Sequence, residues 1–454
     1  MHLRPTFTRN SNIVISSMTL PDDHPHQLLP DQPTKNSVRH LIHRLTDAGT
    51  LTLPASINGL YAAATGAGDD FESSGYHNAW LRDNVQIAAA QLSAGDSQIA
   101  VRIVQQLTLY FSRHRARFVD ILEGRADPTD PMQRPHVRFD AGTLQELPEQ
   151  WAHAQNDALG YFLWITCRVL SRGLTEPSDT LRDWVSLLLQ YWQHIAVWQD
   201  EDSGHWEEIR HVSASSIGCV LAGLRSLQSL SLQTTPAPLL RPDDQQLDSL
   251  AELISKCDQA LRGILPWECR QDQPGKRRRC DASLLFLIFP LNVVQDRVIE
   301  DQILQDVAVN LTGPYGIRRY NGDSYWCADY RDLLSSEHRT ADFSDCLADR
   351  DKLLRPGMEA QWCLFDPVIS CIHGQRYLAS GLPEDRQQQI HHLRRSLQQL
   401  SPPGGRFPAW RCPESWFCEQ GVWQPNDLTP LLWTQQNLLQ ALKLMLQTAE
   451  SESA

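Results

Sequence analysis

The chain has 454 residues, 41% apolar and 21% charged, with 41 basic against 54 acidic side chains and a formal net charge of −13. That length suits one large domain or two medium ones, with apolar content enough for a substantial core. The acidic balance argues against a nucleic-acid partner, whose phosphates need a basic face. No run of about 18 apolar residues exists that could span a membrane, so no membrane partner is expected.

Residues 1–34 are polar and broken by prolines. They read as a flexible arm without the apolar core of a secretion signal, and a cytoplasmic location is expected. From 35 to 448 the chain reads as one helical domain, and 449–454 as a frayed tail. Two kinds of helix alternate within it. Ala158–Leu170 carries one charge, Arg168, and the small-residue stretch Val212–Leu224 carries none. Asp281–Pro290 and Pro430–Leu446 are nearly charge-free as well. Helices apolar on every side are buried on every side. Between them, Asp179–Gln199, Asp244–Arg262 and Pro383–Leu400 are amphipathic. The last of these puts Ile390, Leu393, Leu397 and Leu400 on one stripe between Pro383 and Pro402.

The buried helices begin near residues 83, 156, 213, 281, 359 and 430, which makes six. Their spacing of roughly 60–80 residues fits one helical hairpin plus a long loop per unit. The expected fold is therefore all-α, an (α/α)6 barrel with the charge-free helices inside.

Eleven cysteines include no Cys-x-x-Cys pair and fall mostly in helical stretches, as reduced, buried thiols would. Sixteen histidines show no His-Glu-x-x-His spacing, so neither a metal site nor a cofactor is expected.

Polar, aromatic-rich stretches stand just before the buried helices. They are His77–Asn84, Trp151–Asp157, His205–Glu208, Arg279–Asp281, Gly316–Tyr320, Pro356–Glu359 and Pro413–Trp416. Inner helices of a closed hairpin barrel run parallel, so these stretches would meet at one mouth. Several members have a structural reading beside a functional one. Asp83 with Gln86 reads as a capping box. Glu207 and Glu208 precede a helix whose dipole favours acids. Asp281 reads as a cap, and Arg319 as a structural ion pair. Lys276–Arg279 reads as a solvated loop, with contact to an anionic ligand as the alternative. Among 14 tryptophans, Trp80, Trp151, Trp206, Trp410, Trp416 and Trp423 lie in polar segments. They either pack or present flat faces to sugar rings.

A mouth of carboxylates, arginine and tryptophan suits glycoside hydrolysis. One protonated carboxyl must protonate the leaving oxygen, while a second, ionised one acts on the other face of the ring. Burial beside Trp206, or the charge of Glu208, would raise the pKa of Glu207 and favour an acid role.

The ordered set WLRDN (80–84), QNDALGYF (155–162), WEE with SASSIG (206–218), DASLL (281–285), GIRRY (316–320), EAQWCLF (359–365) and PES…TPLLWTQQNLLQAL (413–442) resembles glycoside hydrolase family 15. That family comprises the glucoamylases, with related domains in phosphorylase kinase alpha and beta subunits. The elements EAQWCLF and TPLLWTQQ look closer to the kinase-subunit branch. The resemblance implies an (α/α)6 barrel and inverting, exo-acting hydrolysis of α-glucosidic bonds. It implies Glu207 as general acid and Glu414 as general base, although the base motif reads Pro-Glu-Ser where the family has Pro-Glu-Gln. Glu419, five residues on, is the alternative base. Arg82 and Asp83 match the pair that holds the terminal glucose, Arg319 a further sugar contact, and Trp80, Trp206 and Glu208 the pocket lining. The implied partner is an α-glucan, an oligosaccharide or a glucosylated small molecule. The alternative function is a non-catalytic, carbohydrate-binding regulatory protein like the kinase subunits. A phosphorolytic enzyme, supported by the basic run at 276–279, is a third reading.

Overall fold

The computed structural model describes residues 24–66, 68–232, 244–273, 275–335, 352–353 and 355–451. Outer and inner barrel helices alternate strictly along the described residues. They are α1 (Lys35–Asp47, outer), α2 (Leu81–Ala94, inner), α3 (Ser97–Arg113, outer), α4 (Asn156–Ser171, inner), α5 (Asp179–His194, outer) and α6 (Ala214–Ser231, inner). They continue with α7 (Asp244–Ile264, outer), α8 (Leu285–Ile288, inner), α9 (Arg297–Asn310, outer), α10 (Phe365–Ser380, inner), α11 (Pro383–Gln398, outer) and α12 (Leu432–Ser451, inner). Each inner helix packs on the next, from α2 through α4, α6, α8 and α10 to α12, and α12 packs back on α2. The ring closes, and the fold is an (α/α)6 barrel.

The burial pattern explains the layering. In α4 every residue except Arg168 and Ser171 is buried, and in α6 the whole run from Ala214 to Leu224 is buried. Small residues let these two rods touch. A Cβ added at Gly160 would lie 2.5 Å from the backbone of Cys219, and one at Gly223 would lie 2.9 Å from the carbonyl of Gly160. The outer helices bury one face only, as α11 does with Ile390, Leu393 and Leu397. Side-chain caps start several of them. Ser178 accepts from the Leu181 N–H at α5, Asp296 from the Val298 N–H at α9, and Thr34 and Ser37 cap α1 reciprocally.

Two expected inner helices differ from the sequence reading. The stretch from Asp281 yields only a 3-10 turn, Ala282–Leu284, and the single turn of α8. Phe289 is extended because Pro290 follows it and has no N–H to continue the ladder. The helix expected near 359 starts at Phe365 instead, since the residues before it are in a sheet. Strand β1 (Ala79–Trp80) pairs antiparallel with β2 (Arg138–Phe139). Strand β3 (Gln361–Trp362) pairs with β4 (Ser415–Glu419), and β4 with β5 (Val422–Pro425), all antiparallel.

Of the expected arm, residues 1–23 lie outside the described residues. Residues 24–34 run against α11, with Leu29 buried in a cluster shared with Val38, Leu393 and Leu442. At the other end α12 reaches Ser451, and 452–454 lie outside the described residues. Ten described cysteines are unpaired, and all but Cys280 are buried. No helix of the described residues is long and apolar enough to cross a membrane.

Candidate active site

The N-terminal ends of the inner helices share one mouth, and the segments leading into them carry the polar side chains. The short β1–β2 pair positions the start of α2, where Trp80 is the N-cap residue and Arg82 and Asp83 occupy the first turn. Asp83 is thus inside the helix and is not its N-cap residue. Its carboxyl lines a pocket instead, and burial pushes it up to about 6 against the pull of Arg82.

Arg82 ties three segments together. Its Nε donates to Asp157 Oδ2 at 2.7 Å, its Nη2 to Gln155 Oε1 at 2.7 Å and to the Gly204 carbonyl at 3.0 Å, and its Nη1 to Glu207 Oε1 at 3.3 Å. Asp157 sits in the first turn of α4, where the helix dipole favours a negative charge. Burial alone would raise its pKa, but the charge and hydrogen bond of Arg82 hold it below the usual range. His205 is kept neutral by burial, down to about 4.

Glu207 follows the 3-10 turn Gly204–Trp206 with φ of 59°, the left-handed region, which is uncommon for a residue with a side chain. That backbone turn separates two adjacent acids. Glu207 faces Arg82, and burial pushes its carboxyl up to about 7 despite Arg82 and Arg138 nearby. Glu208 accepts from Arg319 Nη2 at 2.8 Å and from the Tyr320 hydroxyl. Arg319 is also gripped by Asp323, at 2.6 Å from Nε. It therefore makes structural ion pairs and lines the pocket at once.

Trp206 is held by Asp281, whose Oδ1 accepts the indole N–H at 2.9 Å. The same oxygen caps the turn at Ser283, so Asp281 is a cap that also anchors Trp206 without lining the pocket itself. The solvated-loop expectation for 276–279 holds for Arg277 and Arg279, which are exposed, and fails for Arg278. Arg278 is buried, 3.5 Å from the Tyr320 ring and 3.1 Å from Asp281. Lys276, Arg277 and Arg279 pair with Glu201, Asp272 and Asp306, so an anionic ligand finds no unpaired cation in this run.

Glu414 enters from the loop before α12. Its N–H donates to the Leu428 carbonyl and its carbonyl accepts from the Cys363 N–H, which locks the backbone beside β3. The side chain is fully buried. It accepts from the Tyr76 hydroxyl at 2.6 Å and from the Asn426 amide. Burial pushes this carboxyl up to about 8, against those two hydrogen bonds, which favour its ionised form.

Trp80, Arg82, Asp83, Trp206, Glu207, Glu208, Arg319 and Glu414 all line a single pocket of about 780 Å³, measured out to its open mouth. Trp151 is in the wall as well. Glu419 is not: it pairs with Arg331 and accepts from Gln424 at the far end of β4. Trp410, Trp416 and Trp423 also lie elsewhere: Trp410 packs under Arg44, Trp416 and Trp423 stack on Tyr315, and the Trp416 indole N–H donates to the Gln399 carbonyl. The pocket further includes Tyr76, His205, Tyr325, Trp362 and Trp433, which sequence reasoning did not select. His205, Trp362 and Trp433 stood inside quoted motifs. Tyr76 directly precedes one, and Asn426 carries no local signal at all.

The sequence model of the family described as Glycosyl hydrolases family 15 matches residues 39–340. A Caenorhabditis elegans protein named Probable phosphorylase b kinase regulatory subunit alpha is 25% identical over 273 residues, covering 55% of this chain and 21% of that relative. The chain thus spans about a fifth of that relative's length. Among solved structures, a glycosidase variant in complex with glucose aligns at a TM-score of 0.56 with 20% identity, over 93% of this chain and 97% of that one. A bacterial glucoamylase complexed with acarbose aligns at 0.58 with 16% identity, over 93% of this chain and 57% of that one. These structural likenesses establish a shared fold.

Proposed function

The chain belongs to glycosyl hydrolase family 15, and from that premise we propose that it is an inverting, exo-acting glucosidase. The substrate is an α-glucan, an oligosaccharide or a glucosylated small molecule. Its terminal glucose enters the pocket between Trp80 and Trp206, whose flat faces suit the apolar side of a pyranose. Asp83 and the Arg82–Arg319 side hold its hydroxyls. Glu207 donates a proton to the glycosidic oxygen, and Glu414 takes a proton from a water on the opposite face of the ring.

The observation that carries this reading is the pair of buried carboxyls in one pocket with unlike partners. Glu414 receives two neutral donors that stabilise its ionised form. Glu207 has one long contact to a guanidinium already shared with Asp157 and Gln155. Glu208, beside it in sequence, is committed to Arg319 and Tyr320 and is a positioning group.

Glucose release from maltose, isomaltose and longer α-glucans tests the reading, with the product anomer followed by NMR. The β-anomer is expected first, and Glu207→Gln should lower the rate by about 10²–10⁴. Initial α-anomer, or wild-type turnover by Glu207→Gln, overturns it. The name of the Caenorhabditis elegans relative favours a second reading, a carbohydrate-binding regulatory protein. Saturable binding without turnover across the same panel selects that one.

A further inference from the structure

A second cavity, of about 620 Å³ measured out to its open side, lies at the end of the barrel opposite the mouth. Its walls come from the later turns of α2, α4, α10 and α12. They carry two cations, Arg168 and Lys443, and the amides Gln375, Gln440 and Gln447, but no carboxylate. In a chain of net charge −13 this is a local inversion of sign.

Neither cation has an acidic partner among the described residues. Arg168 rests over the ring of Trp164 at 4.9 Å, and Arg172 repels it. Burial and that repulsion disfavour its charge, and no carboxylate offsets them. Gln440 is 5% exposed, and its amide nitrogen is buried without a hydrogen-bond partner. Buried donors ordinarily find acceptors, and buried cations ordinarily find anions. Helix dipoles favour Arg168, which sits in the last turn of α4, but not Lys443. Their influence falls off within the last turn. The carbonyl end of α2 already accepts from Arg172 at Leu92. Lys443 stands eight residues before the end of α12.

We propose that this basal cavity binds a phosphate dianion, either free or carried on a small sugar ester. Two positive charges match a dianion, whereas a monocarboxylate would leave one uncompensated and a metal cation would be repelled. The oxygens of a phosphate accept several hydrogen bonds, and the unpartnered Gln440 amide supplies one donor beside the two cations. The site is separate from the pocket of Glu207 and Glu414, so it stands whether or not that pocket turns sugar over.

Calorimetric titration of the full chain with orthophosphate, glucose 6-phosphate and glucose tests the proposal. Saturable binding of either phosphate probe is expected, weakened at least tenfold by Lys443→Gln and by Arg168→Gln and reduced by added salt. Glucose binding should be the same in both variants and wild type. Lys443 is half-buried, so its substitution keeps the fold, which an unchanged thermal midpoint verifies. Orthophosphate binding alone identifies the free ion as ligand, and tighter binding of the ester identifies the ester. Absence of binding by both phosphate probes, or equal affinity in wild type and Lys443→Gln, overturns the assignment.

Discussion

Replacing Tyr76 by Phe removes one of two donors to the buried Glu414 carboxyl while keeping the ring. The two carboxyls titrate near 7 for Glu207 and near 8 for Glu414, so the reactive pairing, neutral Glu207 with ionised Glu414, is the minor state. At best it is populated in roughly one molecule in twenty, between the two values. The kcat/KM profile should then be nearly flat between about 7 and about 8, falling below as Glu414 stays protonated and above as Glu207 loses its proton. A hydrogen bond to a charged group contributes about 1.5–3 kcal/mol. Its loss disfavours the carboxylate and raises the Glu414 pKa by about one to two units, at about 1.4 kcal/mol per unit. In Tyr76→Phe the plateau should therefore drop about 10- to 100-fold, and its alkaline edge should move up by the same one to two units. The acid edge, set by Glu207, should stay where it is. Initial rates of glucose release across pH 5–10 give both edges. A drop with the alkaline edge unmoved would mean that Tyr76 acts through binding or folding, and an unchanged plateau would mean that Glu414 is not the base.

Two further substitutions probe the site and the barrel. Glu419→Gln should leave kcat/KM within about twofold, because that carboxyl sits outside the pocket beside Arg331 and solvent. A large loss in the same glucose-release assay would return it to the candidates. Gly160→Ala drives a methyl against the Cys219 backbone and should cost about 1–3 kcal/mol, read as a lowered denaturation midpoint. Full stability there would mean that α4 and α6 do not depend on glycine contact.

The architecture was legible because charge-free and amphipathic helices alternate, and burial tracks that contrast closely in α4, α6 and α11. It failed where a nonlocal event decides. A short apolar run such as Asp281–Pro290 does not reveal how many turns it makes. The delay of α10 to Phe365 comes from β3 pairing with a strand more than fifty residues later. Within the pocket, side chains adjacent to the helix starts were readable because topology alone gathers them. Tyr76 and Asn426 were not, since they act through contacts with Glu414 that no local pattern encodes. The divergence of Glu207 from Glu208 was also hidden, because it depends on a left-handed backbone at a non-glycine residue. Arg278 looked like part of a solvated basic run, yet it stacks on Tyr320.

The most direct measurement is a crystal structure with a glucose-like inhibitor bound. The sugar should lie in the mouth pocket, with the Glu207 and Glu414 carboxyls on opposite sides of the anomeric carbon and roughly 6.5–9.5 Å apart. A sugar bound elsewhere, or both carboxyls on one side of that carbon, would contradict the account.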